Sequence, residues 1–124
     1  CRAGTQTTWS FGNDESQFGN YGWFGGRTNN VGQRYAHKVG LKEPNPAGLF
    51  DMHGNVVEWC SDWYGEKLSG GTDPVGPEGG SRRVLRGGSW YHDPDGCRST
   101  QRFSSVPSDD AEILGFRVAR SRRQ

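Results

Sequence analysis

Side chains that can do chemistry gather in two stretches of this 124-residue sequence. The first runs Asp51-Met52-His53-Gly54-Asn55-Val56-Val57-Glu58-Trp59-Cys60, where two carboxylates flank a histidine and a Gly-Asn pair. Acids at arbitrary separations are ordinarily solvated. They become an oxygen-donor set only where a turn brings main-chain carbonyls beside them. His53 has no second His or Cys at a zinc-ligating spacing, so the expectation for it is a turn position. The second stretch, 89–113, mixes Trp90, Tyr91, His92, Phe103 and Ser104 with Asp93, Asp95, Asp109 and Asp110. Mixtures of aromatic and polar side chains suit adaptable recognition of a protein or small ligand. The cysteines are Cys1, Cys60 and Cys97, an odd number that permits one internal disulfide at most. Cys97 is expected as a buried small hydrophobe or as the disulfide partner of Cys1 or Cys60.

The elements that must hold these residues are short. Val56, Val57, Trp59 and Trp63 favour extended structure, so a tight turn at Gly54-Asn55 should lead into a strand. Val84-Leu85 begin a second strand that stops at Gly87-Gly88, and Leu114 to Ala119 alternate as a closing strand. Residues 1–34 are Gly/Asn-rich, carry Trp9, Phe11, Phe18, Tyr21, Trp23 and Phe24, and show no lasting helical period. Residues 35–50 contain Pro44 and Pro46, which exclude a helix interior. Residues 65–81 read as a surface loop. The segment from Ser89 to Asp110 has no hydrophobic period and reads as irregular, with Pro94, Gly96 and Pro107 opposing regular structure.

Bulk composition agrees with one ordered, loop-rich unit. Leu, Ile, Val and Phe together number only 20, but 15 aromatics, five of them Trp, supply large buried areas. Disorder would need high net charge, and the formal charge is +1. That charge gives no steering field for nucleic acid, and Arg117, Arg120, Arg122 and Arg123 read as a solvated basic end. No apolar run is long enough for membrane insertion. No signal peptide is visible, and the cysteine count fixes no compartment; secretion or a periplasmic location is compatible with it. The sequence opens at Cys1-Arg2-Ala3-Gly4 without an initiator Met and reads as a piece of a longer polypeptide.

Four segments in order carry a resemblance to a known family. They are Cys1-Arg2-Ala3-Gly4-Thr5, Gly48 to Trp59, Arg86-Gly87-Gly88-Ser89-Trp90 and Leu114-Gly115-Phe116-Arg117-Val118. Together they resemble the formylglycine-generating (sulfatase-modifying factor) family, with residues 1–124 as the C-terminal part of one domain. The resemblance implies a C-type-lectin-like α+β fold with little regular secondary structure. It also implies an N-terminal half of the same domain as the first packing partner.

The same resemblance implies a structural calcium held by the Asp51 carboxylate, the Gly54 and Val56 carbonyls and the Glu58 carboxylate. A hard cation of this kind takes six to eight oxygens and mixes carboxylates with carbonyls. A second family calcium site would draw on Asn20 and the Tyr21 carbonyl, for which no acidic partner matches. The family's enzymes oxidise a cysteine of a client sulfatase with copper held between two cysteines that follow Gly-Gly-Ser. Counted from Gly87-Gly88-Ser89, His92 takes the first cysteine position and Cys97 the second; counted back from Arg102, the loop is a few residues short and Cys97 misses that position too. One soft thiolate is lost, so copper and formylglycine generation are not expected. Related enzymes of this fold perform iron-dependent sulfoxide synthesis with histidines outside this region. Family domains are also fused to kinases or transport proteins in bacteria. Variable proteins of diversity-generating retroelements share the Gly-Gly-Ser-Trp and Gly-Phe-Arg landmarks and diversify the loop between them. A binding module acting through Trp90, Tyr91, His92, Asp93, Phe103 and Asp109 is thus the leading expectation, with an oxidoreductase or a retroelement variable protein as alternatives. Within that loop, Trp90 is expected as a core anchor and the other five at an accessible surface.

Overall fold

The computed structural model describes residues 1–25, 34–68, 70–72 and 74–120. Its regular structure is a four-stranded sheet with spatial order β3-β2-β1-β4, where β1 is Val57–Trp63, β2 Arg83–Arg86, β3 Phe103–Ser105 and β4 Leu114–Gly115. β1 and β2 pair antiparallel, with Glu58 opposite Arg86 and Trp59 opposite Leu85. β2 and β3 also pair antiparallel, while β1 and β4 are parallel with Glu58 beside Gly115. Among the described residues helix is limited to α1, Phe18–Tyr21, and two 3-10 turns at Glu15–Gln17 and Pro94–Cys97. Among the described residues no helix is long and apolar enough to cross a membrane.

β1 and β2 form where the branched and aromatic residues predicted them. β2 ends because Gly87 and Gly88 take φ of 93° and 69°, a left-handed conformation that other residues enter at a cost. Gly88 has a second reason to be glycine: a Cβ there would stand 2.4 Å from the Cys97 sulfur. The 3-10 turn therefore seats directly on the Gly-Gly backbone.

Two expectations for the C-terminal third are corrected. The 89–110 segment is not wholly irregular. Pro94, with its fixed φ, sits in the first turn of a 3-10 helix, where its missing N–H costs nothing. Phe103–Ser105 then adds a strand to the free edge of β2. The closing strand is shorter than 114–119, because pairing with β1 lasts for Leu114 and Gly115 alone.

One cluster of the core is aromatic, as the composition led us to expect, while Val57, Val84 and Leu85 are buried on the sheet. Trp9, Phe18 and Cys97 are buried together, with Phe11 and Phe24 packed against them. The Trp9 and Phe11 rings stack at 5.5 Å, and Phe18 meets Trp9 edge-on at 5.9 Å. The Trp9 indole N–H donates to the Pro94 carbonyl (3.0 Å), tying the first segment to the second 3-10 turn.

Candidate functional site

The turn before β1 is built from strained backbone. Asp51, Gly54 and Asn55 have φ of 54°, 80° and 66°. Gly54 cannot be replaced without movement, since a Cβ there would lie 2.2 Å from the Trp23 carbonyl oxygen. Asn55 repays its strain as a hub. Its N–H donates to the Trp23 carbonyl (2.9 Å), and its carbonyl accepts from the Trp90 N–H (2.8 Å). Its side-chain amide bonds both the N–H and the carbonyl of His37 (2.8 and 3.1 Å). Nothing in the sequence singled out Asn55 beyond its place in a turn; its partners come from three distant segments.

That turn delivers the carboxylates. Asp51 is 6% exposed; its Oδ2 accepts the Gly40 N–H at 2.8 Å, and its Oδ1 is buried with no hydrogen-bond partner. Glu58, at the start of β1, is half-buried and holds the Arg117 guanidinium, with Nε to Oε2 at 2.7 Å and Nη2 to Oε1 at 2.5 Å. The bidentate pair holds the Arg117 guanidinium above the usual arginine range. Arg117 also donates to the carbonyls of Phe50 (3.0 Å) and Asp51 (3.1 Å). Beside these groups opens a cleft of about 350 Å³, lined among others by Leu49, Phe50, Asp51, Val56, Glu58 and Arg117. Among the described residues no cluster of three His, Cys, Asp or Glu side chains is placed to hold a metal. A cation at residues 51–58 would therefore need carbonyl oxygens as well. Asn20, of the second calcium expectation, is exposed and donates to Gln17 (3.1 Å).

His53 is not a plain turn residue, which corrects the expectation from spacing. It is 2% exposed and joins three segments. The Ser10 backbone N–H can only donate, so Nε2 (3.0 Å away) is the acceptor and Nδ1 carries the proton that reaches the Cys97 carbonyl at 2.8 Å. Burial lowers its pKa below the ordinary histidine value. The Cys1 sulfur lies 3.7 Å from Nε2. A thiol beside an imidazole can be a nucleophile, but this nitrogen's lone pair is already engaged by Ser10.

In the second stretch, Ser89 is fully buried and its N–H donates to His92 Nδ1 (3.1 Å), which the hydroxyl also meets at 2.8 Å. The His92 ring packs on Phe103 with centroids 4.7 Å apart. Cys97 is fully buried, and burial pushes its thiol up to about 12. All three cysteines are free thiols, so Cys97 takes the buried-hydrophobe role of the two foreseen. Trp90 is 4% exposed, as an anchor should be. Tyr91, Asp93 and Asp109 are exposed as expected, but His92 and Phe103 are half-buried against each other and do not lie free at the surface. β3 explains this, because pairing with β2 draws Phe103 onto the sheet. Of the basic end, Arg122 and Arg123 fall outside the described residues.

Comparison with known proteins agrees with the four-segment resemblance. The Sulfatase-modifying factor enzyme 1-like domain matches residues 1–122. The serine/threonine-protein kinase pkn1 of Chlamydia pneumoniae is 43% identical over 83 residues, covering 63% of this chain and 13% of the kinase. The formylglycine-generating enzyme of Streptomyces coelicolor is 44% identical over 82 residues, covering 61% of this chain and 26% of the enzyme. Among solved structures, Treponema denticola variable protein 1 superposes with a TM-score of 0.81 at 41% identity, over 93% of this chain and 41% of that one. The chain thus spans less than half the length of each of these relatives.

Proposed function

We propose, on the footing that this chain belongs to the sulfatase-modifying factor enzyme 1-like domain family, that it is a calcium-stabilised binding module without formylglycine-generating activity. The observation that carries the reading is the state of the two cysteine positions. The first is His92, whose Nδ1 is engaged by Ser89. The second is Cys97, fully buried, with burial pushing its thiol up to about 12. A Cu(I) dithiolate needs two sulfurs and this pair supplies one, so it does not reproduce that site. A sulfatase-motif peptide incubated with the intact protein, oxygen and copper should keep its cysteine. Conversion to the aldehyde in the mass spectrum would end the reading.

Calcium fits the turn at residues 51–58 on one physical ground. The buried, unpartnered Asp51 Oδ1 is costly as it stands and is the kind of oxygen a hard cation takes. Asp51, the Gly54 and Val56 carbonyls and Glu58 would hold the ion, which would supply countercharge to the turn. A ligand that binds only the folded state adds about 2.7 kcal/mol at a hundredfold excess over Kd. Chelation should therefore lower the melting temperature of the intact protein, and Glu58→Gln should blunt the response. An unchanged melt, with no calcium by elemental analysis, would count against the ion.

Recognition is assigned to the exposed part of the 89–113 loop, Tyr91, Asp93 and Asp109, on a C-type-lectin-like framework anchored by Trp90. The fit to the Treponema variable protein supports a second version of the same reading, in which this loop is diversified by a retroelement. A second genomic copy of the segment for residues 89–118, differing only at adenines, would be its signature. The pkn1 likeness supports a third context, a regulatory module attached to a kinase or transport protein in a bacterium.

A further inference from the structure

Arg117 occupies a place that the binding of a cation at residues 51–58 must reckon with. The parallel pairing of β4 with β1 sets Gly115 beside Glu58, and the chain two residues on brings the Arg117 side chain back over the same carboxylate. Its planar fork meets both oxygens of Glu58 and, with its remaining N–H groups, the carbonyls of Phe50 and Asp51. Four hydrogen bonds thus bind one guanidinium to both ends of the turn. Fork-on-fork pairing of this kind is the strong form of the arginine–carboxylate contact. The pair is partly shielded, with side chains 34% and 21% exposed, so solvent screens it less than a surface pair. Asp51 Oδ1, by contrast, receives no donor from Arg117. The turn therefore has one acid neutralised by a built-in cation and one acid oxygen left open.

We infer that Arg117 is the resident counter-cation of this turn and sets its calcium affinity by competing for the Glu58 carboxylate. The inference rests on the proposed calcium reading and goes beyond it. A divalent ion that takes Glu58 must displace the guanidinium from at least one oxygen, and the two positive charges repel at close range. The apparent affinity is then reduced by the fraction of molecules in which Arg117 is bound. Calcium and the Arg117 clamp are alternative ways of satisfying one carboxylate. Loading the ion removes at least one of the four bonds that tie Arg117 to the turn and leaves those to the Phe50 and Asp51 carbonyls.

The test is calcium titration of the intact protein by calorimetry, in wild type, Arg117→Gln, Arg117→Lys and Glu58→Gln, with metal-free melting curves for each. Competition predicts about tenfold tighter calcium binding in Arg117→Gln, equivalent to about 1.4 kcal/mol, together with a lower metal-free melting temperature. Arg117→Lys, which keeps the charge but loses the fork, should fall between them and guards against a Gln variant that does not fold. Equal or weaker binding in both Arg117 variants, with wild-type binding intact, would show that the guanidinium orients Glu58 for the ion, and would overturn the competition while leaving the calcium reading standing. No binding in any variant would overturn both. Binding in Arg117→Gln alone would support competition in its extreme form.

Discussion

Removing the His53 imidazole should cost more than its position in a turn suggests. His53→Ala takes away the acceptor for the buried Ser10 N–H and the donor for the Cys97 carbonyl. Each orphaned buried group costs about 1–3 kcal/mol. The ring also fills space beside Phe11 and Phe18, with centroids at 5.6 and 6.3 Å. A void there adds to the loss, so a total of about 3–5 kcal/mol is expected, a large part of the usual stability of a domain. His53→Asn should keep the donor to Cys97, and His53→Gln the acceptor for Ser10, so each should cost about half as much. Acid should reproduce the effect. The folded-state pKa lies below the unfolded value near 6.5, because burial disfavours the charged ring. The unfolded chain then binds more protons, and stability is complete above pH 6.5 and is lost as pH falls through the folded-state pKa. Urea denaturation of the intact protein across pH 5–8 reads both effects. An alanine variant within about 1 kcal/mol of wild type, or an acid-side decline that persists unchanged in His53→Gln, would refute the three-segment tie.

Two further outcomes test the packing. Trp90→Ala should cost about 3–5 kcal/mol and Tyr91→Ala under about 1 kcal/mol. Equal damage from both in a denaturation series would misassign the surface of the loop. Gly54→Ala should cost about 3 kcal/mol, combining positive φ with the Trp23 carbonyl, whereas Gly48→Ala, with positive φ and nothing within 4 Å, should cost about 1 kcal/mol. Thermal melts giving the two variants the same penalty would remove the steric part of that argument.

What the sequence disclosed was local. β1 and β2 were legible because their Val, Trp and Leu residues favour extended structure, and β2 also because Gly87 and Gly88 take a conformation that stops a strand. The aromatic cluster was legible because 15 aromatics, five of them Trp, supply large areas to bury. β3 was not, because Phe103-Ser-Ser has no pattern of its own and becomes a strand only by meeting the edge of β2. The reach of β4 was overstated because alternation continues past Gly115 while the pairing with β1 does not. His53 and Asn55 were underrated for one reason: their worth lies in partners at Ser10, Trp23, His37, Trp90 and Cys97, which spacing does not reveal. The cysteine positions were legible in kind, since His92 stands where a thiol was needed. The depth of Cys97 required the contact with Gly88.

The bond from the Trp9 indole to the Pro94 carbonyl joins residues 85 positions apart, and it sets an order in time. Closing a loop of that length costs about 4 kcal/mol of chain entropy before any contact repays it. Trp9, Phe11 and Phe18 leave the ribosome long before their partners at 94–97 exist. During that interval the rings of Trp9, Phe11 and Phe18 lack the part of the core that Cys97 completes. A domain wired this way folds late and as a whole, slowed by its non-local contacts. Until then those rings are open to any chaperone, or to any neighbouring nascent chain, that meets them first.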